Sequence, residues 1–117
     1  GASRGEGIRT ALLLRGLGVS PGCVEGSARV VRSVRELESL REGEVIVASM
    51  TDPSWTSLLA LGGALVLEVG GLLSHGGIVA RELGIPAVVD VAAATSLLRT
   101  GELLAVDGST GTVRRRG

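Results

Sequence analysis

Branched aliphatic runs, broken by short polar and glycine-containing stretches, set the rhythm of this chain. Glu44 to Ala48, Ala64 to Val69 and Ala87 to Val91 are each too short for a buried helix, and they are rich in valine. They predict buried strands, the second interrupted only by Glu68. Further strands are predicted from Gly26 to about Val34, from Glu102 to Val106 and, after the Asp107-Gly108 turn, around Thr112-Val113. Helix signals fill the gaps. Ser33-Val34-Arg35-Glu36 matches a capping box and predicts a short helix to about Arg41, ahead of Gly43. Asp52-Pro53 is a cap followed by a first-turn proline; the helix it opens places Trp55, Leu58 and Leu59 on one face and ends at Gly62. Ser74 caps a helix running through Leu83 to a stop at Gly84, and Thr95 to Arg99 forms a short helical turn. Gly18-Val19-Ser20-Pro21-Gly22 reads as a turn. Strands and short helices alternate without an internal repeat, so the fold class is α/β. Residues 1–16 read as a tail or linker remnant, 17–114 as one domain and 115–117 as the start of another linker.

Composition narrows the classes of function. A chain of 117 residues has room for a single apolar core rather than two. Twelve acidic and twelve basic residues balance, so no field of one sign recruits nucleic acid or an anionic membrane surface. The longest apolar stretch, Leu58 to Leu67, is about half a membrane span and is broken by Gly62 and Gly63. Arg9 and Arg15 bracket only five residues, too few for a signal-peptide core. The single cysteine, Cys23, excludes an internal disulfide and a cysteine metal cluster, and a cytoplasmic location is expected.

The chemistry concentrates at one position. His75 is the only histidine, and lysine and tyrosine are absent. Its imidazole is thus the one group able to act as base or nucleophile near neutral pH without strong perturbation. It follows Gly70-Gly71-Leu72-Leu73-Ser74, which places it just after a cap, at the positive end of a helix. Gly76 and Gly77 come next, each costing roughly 1 kcal/mol of helix propensity against alanine. Helix stability alone does not account for that pair. They are expected to leave first-turn amides uncovered as an anion site, suiting a histidine that attacks and carries a phosphoryl group. A capping-turn histidine bonded to a neighbouring carbonyl fits the local sequence equally well.

The run from Gly70 through His75 and Arg81-Glu82-Leu83-Gly84 to Ile85-Pro86-Ala87-Val88-Val89 resembles the signature of the mobile phosphohistidine domain of phosphoenolpyruvate-utilising enzymes. That group includes phosphoenolpyruvate synthase, pyruvate phosphate dikinase and rifampicin phosphotransferase. Gly18 to Gly22 with Gly26, Thr51-Asp52-Pro53-Ser54-Trp55-Thr56, and Asp107-Gly108 with Gly111 resemble further family segments in the same order, so that roughly residues 17 to 114 are covered. The resemblance implies a compact, layered β/β/α swivelling domain. Its histidine, equivalent to His75, carries a phosphoryl group between two distant active sites. It further implies that Thr51 hydrogen-bonds the imidazole and that Gly71 and Ser74 shape the turn; Gly71, Gly76 and Gly77 are expected to border the phosphate. The family more often has alanine where this chain has Gly76.

On this resemblance the chain is a phosphoryl carrier, a part of a phosphotransferase that does not turn over alone. ATP or phosphoenolpyruvate and Mg²⁺ are then expected on nucleotide-binding and acceptor-binding partner domains, with no cofactor held here. The competing expectation is a non-catalytic docking or regulatory module of the same fold.

Rival constellations are weak. Ser74 and His75 are adjacent and point about 100° apart on a helix, which does not suit a nucleophile and its base. No P-loop is possible without lysine, and no dinucleotide fingerprint is present. Arg81 lies about 600° of helical rotation and about 9 Å along the axis from His75, favouring a structural ion pair or a partner contact over a phosphate ligand. Glu68 is open between a hydrogen bond to the imidazole and a solvated strand end. Trp55 reads as a core anchor or interface residue, Cys23 as a small buried residue, and Arg114-Arg115-Arg116 as solvated linker.

Overall fold

The computed structural model describes residues 12–116. Within them the elements run β1 (Leu13–Arg15), β2 (Leu17–Ser20), β3 (Cys23–Val31), α1 (Val34–Glu38), β4 (Val45–Ala48), a 3₁₀ turn (Pro53–Trp55) leading into α2 (Thr56–Leu59), β5 (Ala64–Leu67), α3 (His75–Leu83), β6 (Ala87–Val89), α4 (Ala94–Leu97), β7 (Leu103–Asp107) and β8 (Thr112–Arg115). The valine-rich runs became β4, β5 and β6, every residue of which is buried. They pair in parallel, in the order β3-β4-β5-β6, as expected of strands covered on both faces. On the other side of β3, β7, β8 and β1 form an antiparallel ribbon. β3 serves both halves: Cys23 to Ser27 pair with β7, while Ala28 to Val31 pair with β4.

The eight strands form one sheet in the order β1-β8-β7-β3-β4-β5-β6-β2. β1 and β2 stand at its opposite ends, yet Gly16 alone separates them in the chain. The sheet must therefore curl until its two ends come together. Gly16 is the seam. Its amide donates to the Gly111 carbonyl at 2.8 Å, and a Cβ there would lie 2.3 Å from the Val89 carbonyl oxygen.

Alternation along the parallel strands then divides the interior. Val45, Val47, Ala64, Val66 and Val88 point into the curled sheet toward Val30, Leu104, Val106 and Val113. Ile46, Ala48, Leu65, Leu67 and Val89 point outward to Leu37, Leu59, Val79 and Ala80 on the helices. The result is the layered β/β/α architecture the resemblance implied. The single core expected from chain length is in fact split by the parallel sheet into two.

Several local expectations are corrected. Leu13–Arg15, read as tail, is an edge strand, while residues 1–11 lie outside the described residues. Arg114 and Arg115 belong to β8; Arg115 pairs with Glu102 at 2.5 Å and Arg116 with Glu25 at 3.1 Å. Cys23 is exposed rather than buried. The capping box does not form as expected: Ser33 makes no side-chain cap, and Glu36 accepts from the Arg32 amide, one residue before the cap, at 2.8 Å. Among the described residues no helix is long and apolar enough to cross a membrane.

Candidate functional site

The three parallel strands β4, β5 and β6 end on the same side of the sheet, and the segments that leave them build the site, the usual place for ligands in such sheets. After β5 the chain follows β4 a little further: Glu68 donates its amide to the Ala48 carbonyl and Val69 to that of Ser49, each at 3.0 Å. These bonds bring the start of α3 beside the segment that begins at Thr51. Gly70 and Gly71, both at positive φ, reverse the chain. Ser74 then caps α3, its Oγ accepting the Gly77 amide at 3.3 Å. Gly84, at φ 73°, ends the helix where expected.

His75 is half-buried at the head of α3 with both ring nitrogens engaged. Nδ1 lies 2.9 Å from Thr51 Oγ1, the contact the resemblance implied. Nε2 lies 3.3 Å from Thr56 Oγ1, a contact missed in the sequence. The two threonines come from one folded segment. Asp52 caps it, accepting from the Ser54 amide at 2.9 Å and the Ser54 hydroxyl at 2.7 Å. Thr56 closes it by donating its hydroxyl to the Pro53 carbonyl at 2.9 Å. The Ser54 amide, then its hydroxyl, hold the Asp52 carboxyl below the ordinary aspartate range, and attraction to the His75 ring adds to this. The signal for Thr56 was slight. It falls in the same segment as Thr51, but only the reversal at Asp52-Pro53 turns both hydroxyls onto one ring.

The glycines after His75 serve packing, and at Gly77 the amide expected to be uncovered is engaged. Both are buried, and the Gly77 amide is already donated to Ser74. A Cβ on Gly76 would lie 2.6 Å from Leu67 Cδ1 and 3.2 Å from Thr51 Oγ1. The missing side chain thus lets the helix head sit down on β5 and leaves Thr51 room to reach the imidazole. Gly71, placed by sequence at the phosphate, donates its amide to Asp90 Oδ1 at 3.3 Å.

Two other expectations change. Among the described residues Arg81 makes no ion pair; its guanidinium clamps the loop, donating to the Val19 carbonyl at 2.7 Å and the Leu72 carbonyl at 3.0 Å. Glu68 contacts neither the imidazole nor solvent alone. It accepts from the Thr95 amide at 2.8 Å and the Thr95 hydroxyl at 2.6 Å, tying α4 to the sheet. Trp55 packs against the helix-side core. Among the described residues no group of three or more histidine, cysteine or acidic side chains could hold a metal ion.

Comparison with known proteins bears on this arrangement. Residues 40–111 match the family model of the PEP-utilising enzyme, mobile domain. The chain is 45% identical over 111 residues to a rifampicin phosphotransferase of Streptomyces sviceus, covering 95% of this chain and 13% of that protein. It is 45% identical over 103 residues to a phosphoenolpyruvate synthase of Aeropyrum pernix, covering 87% of this chain and 13% of that protein. The chain thus spans 13% of the length of each of these two relatives. Among solved structures, Enzyme I superposes with a TM-score of 0.59 at 38% identity, over 68% of this chain and 33% of that one. Aconitase X of Thermococcus kodakaraensis superposes with a TM-score of 0.71 at 19% identity, over 89% of this chain and 98% of that one, and shares the fold alone.

Proposed function

This chain belongs to the mobile-domain family of PEP-utilising enzymes, and from that premise we propose that His75 is its phosphoryl carrier, working through Nε2. One observation carries the reading: the imidazole stands at the head of α3 with Nδ1 turned to half-buried Thr51 and Nε2 turned to exposed Thr56. Nε2 is therefore the nitrogen a donor can reach. Its lone pair forms the N–P bond as the bridging P–O bond of the donor breaks, and the leaving group departs with that electron pair. In the second transfer an acceptor oxygen attacks phosphorus, the N–P bond breaks and the ring regains its pair. The positive end of α3 favours the added negative charge, and the nine-residue helix is long enough for that effect. Thr51, bonded to Nδ1, fixes the ring plane for both transfers.

The donor, ATP or phosphoenolpyruvate, and its Mg²⁺ belong to partner domains in this proposal. The acceptor is likewise bound elsewhere, so the chain alone does not turn over. Incubation with a nucleotide-binding domain of a family member and γ-labelled ATP tests it. The expected product is an acid-labile, base-stable phosphate on the wild-type chain and none on His75→Ala. No label on wild type, or equal label on both, removes the proposal.

A further inference from the structure

We infer that Thr56 is a positioning residue that keeps the resting ring protonated on Nε2, so that the attacking nitrogen is latched until a donor displaces the hydroxyl. The inference follows from counting protons. A hydroxyl has one, and that of Thr56 is committed to the Pro53 carbonyl, which can only accept. Toward Nε2, 3.3 Å away, the Thr56 oxygen is then left to accept. The ring proton must sit on Nε2, and in the neutral imidazole Nδ1 accepts from the Thr51 hydroxyl at 2.9 Å. Every donor in the cluster has one acceptor.

The two threonines are therefore not equivalent. Thr51 can donate to Nδ1 or accept from an Nδ1–H, so it supports either tautomer. Thr56, tied through its own turn to Pro53, supports only Nε2–H. Attack through Nε2 needs the other tautomer, with the proton on Nδ1 donated to Thr51 Oγ1 and the lone pair of Nε2 free. The phosphorylated ring has that same arrangement, with phosphorus on Nε2 and the proton on Nδ1. Forming it requires the Thr56 contact to break, and Thr56 is exposed where a docking donor meets it.

The consequence for transfer rests on the carrier reading, whereas the tautomer can be measured without it. The test uses the ¹⁵N-labelled chain at about pH 8.5, above the ordinary histidine range. Long-range ¹H–¹⁵N correlations report which ring nitrogen is protonated, and ³¹P spectra follow phosphorylation by phosphoramidate. Wild type is expected as the Nε2–H tautomer. Thr56→Val is expected to raise the Nδ1–H population and the rate of His75 phosphorylation together, roughly two- to tenfold for one weak hydrogen bond. Thr56→Ser, which keeps the oxygen, is expected to restore the Nε2–H tautomer. A wild-type ring already protonated on Nδ1, or a Thr56→Val chain with unchanged tautomer, overturns the inference, as does a shifted tautomer with an unchanged rate. If Thr56→Val shifts the tautomer but neither chain takes up phosphate at His75, the hold by Thr56 stands and the carrier reading fails.

Discussion

β4 connects two polar clusters of opposite character. At its entrance Glu44 is almost fully buried and its acceptors are engaged: Arg29 Nε donates to Oε1 and Arg29 NH2 to Oε2, both at 3.1 Å, and the Arg41 amide adds a bond of 2.7 Å. Beyond its exit Thr51 and Thr56 hold His75 by neutral hydroxyls, at 2.9 and 3.3 Å, on a half-exposed surface. The first cluster is charged, bidentate and has one arrangement. The second uses groups that can reverse donor and acceptor, or let go. On the proposed carrier role, a ring that gains and loses a phosphoryl group needs neighbours that tolerate several states, whereas a buried carboxylate needs neighbours that permit only one.

Substitutions should separate the two clusters. The largest effect on folding is expected from Glu44→Ala, which strands the half-buried Arg29 guanidinium and should cost about 3 kcal/mol in urea unfolding. His75 phosphorylation of the remaining folded chain should hold near the wild-type rate; a rate loss as large as the stability loss would merge the clusters. Arg81→Ala stands between them, since its clamp is structural but grips the loop that carries His75. About 2 kcal/mol of stability and a several-fold slower phosphorylation are expected. Thr51→Val should invert the Glu44 pattern, losing about tenfold in phosphorylation while the unfolding midpoint moves by less than about 1 kcal/mol.

Acid should weaken the fold through its structural carboxylates. Burial pushes the Glu44 carboxyl up, but hydrogen bonds from Arg29 and the Arg41 amide, with the attraction of both guanidiniums, outweigh it and hold the group below the ordinary glutamate range. The Thr95 hydroxyl and amide hold Glu68 low in the same way. Folded values below unfolded ones mean that the unfolded chain binds more protons in acid. The stability these groups contribute is full above the ordinary glutamate value and is lost as pH falls through their folded values. Glu68→Gln should therefore flatten the acid limb of a stability–pH curve, and an unchanged limb would show that Glu68 contributes nothing to it. The smallest effect is expected at Gly76→Ala. The new Cβ meets the end of the buried Leu67 side chain, which must give way, and the gain in helix propensity offsets the crowding, so thermal unfolding should shift by less than about 1 kcal/mol.

The sequence by itself determined the buried strands β4, β5 and β6, the bounds of α3 and the position of the imidazole. Those features are encoded by neighbours a few residues apart: valine-rich runs that suit buried strands, Ser74 and Gly84 at the helix ends, and His75 as the only imidazole. Asp52-Pro53 was legible for the same reason. What escaped depended on residues far apart in the chain. Closure at Gly16, the split of the core, the pairing of Arg29 with Glu44 and the Arg81 bond to Val19, 62 residues away, follow from how the sheet curls. Local pattern says which face of a strand is apolar, but not which strand lies opposite. At the site the same division holds. Sequence identified the histidine, and tertiary structure brought two hydroxyls, from 24 and 19 residues earlier, to its two nitrogens. Only that convergence distinguishes the nitrogen facing half-buried Thr51 from the one facing exposed Thr56.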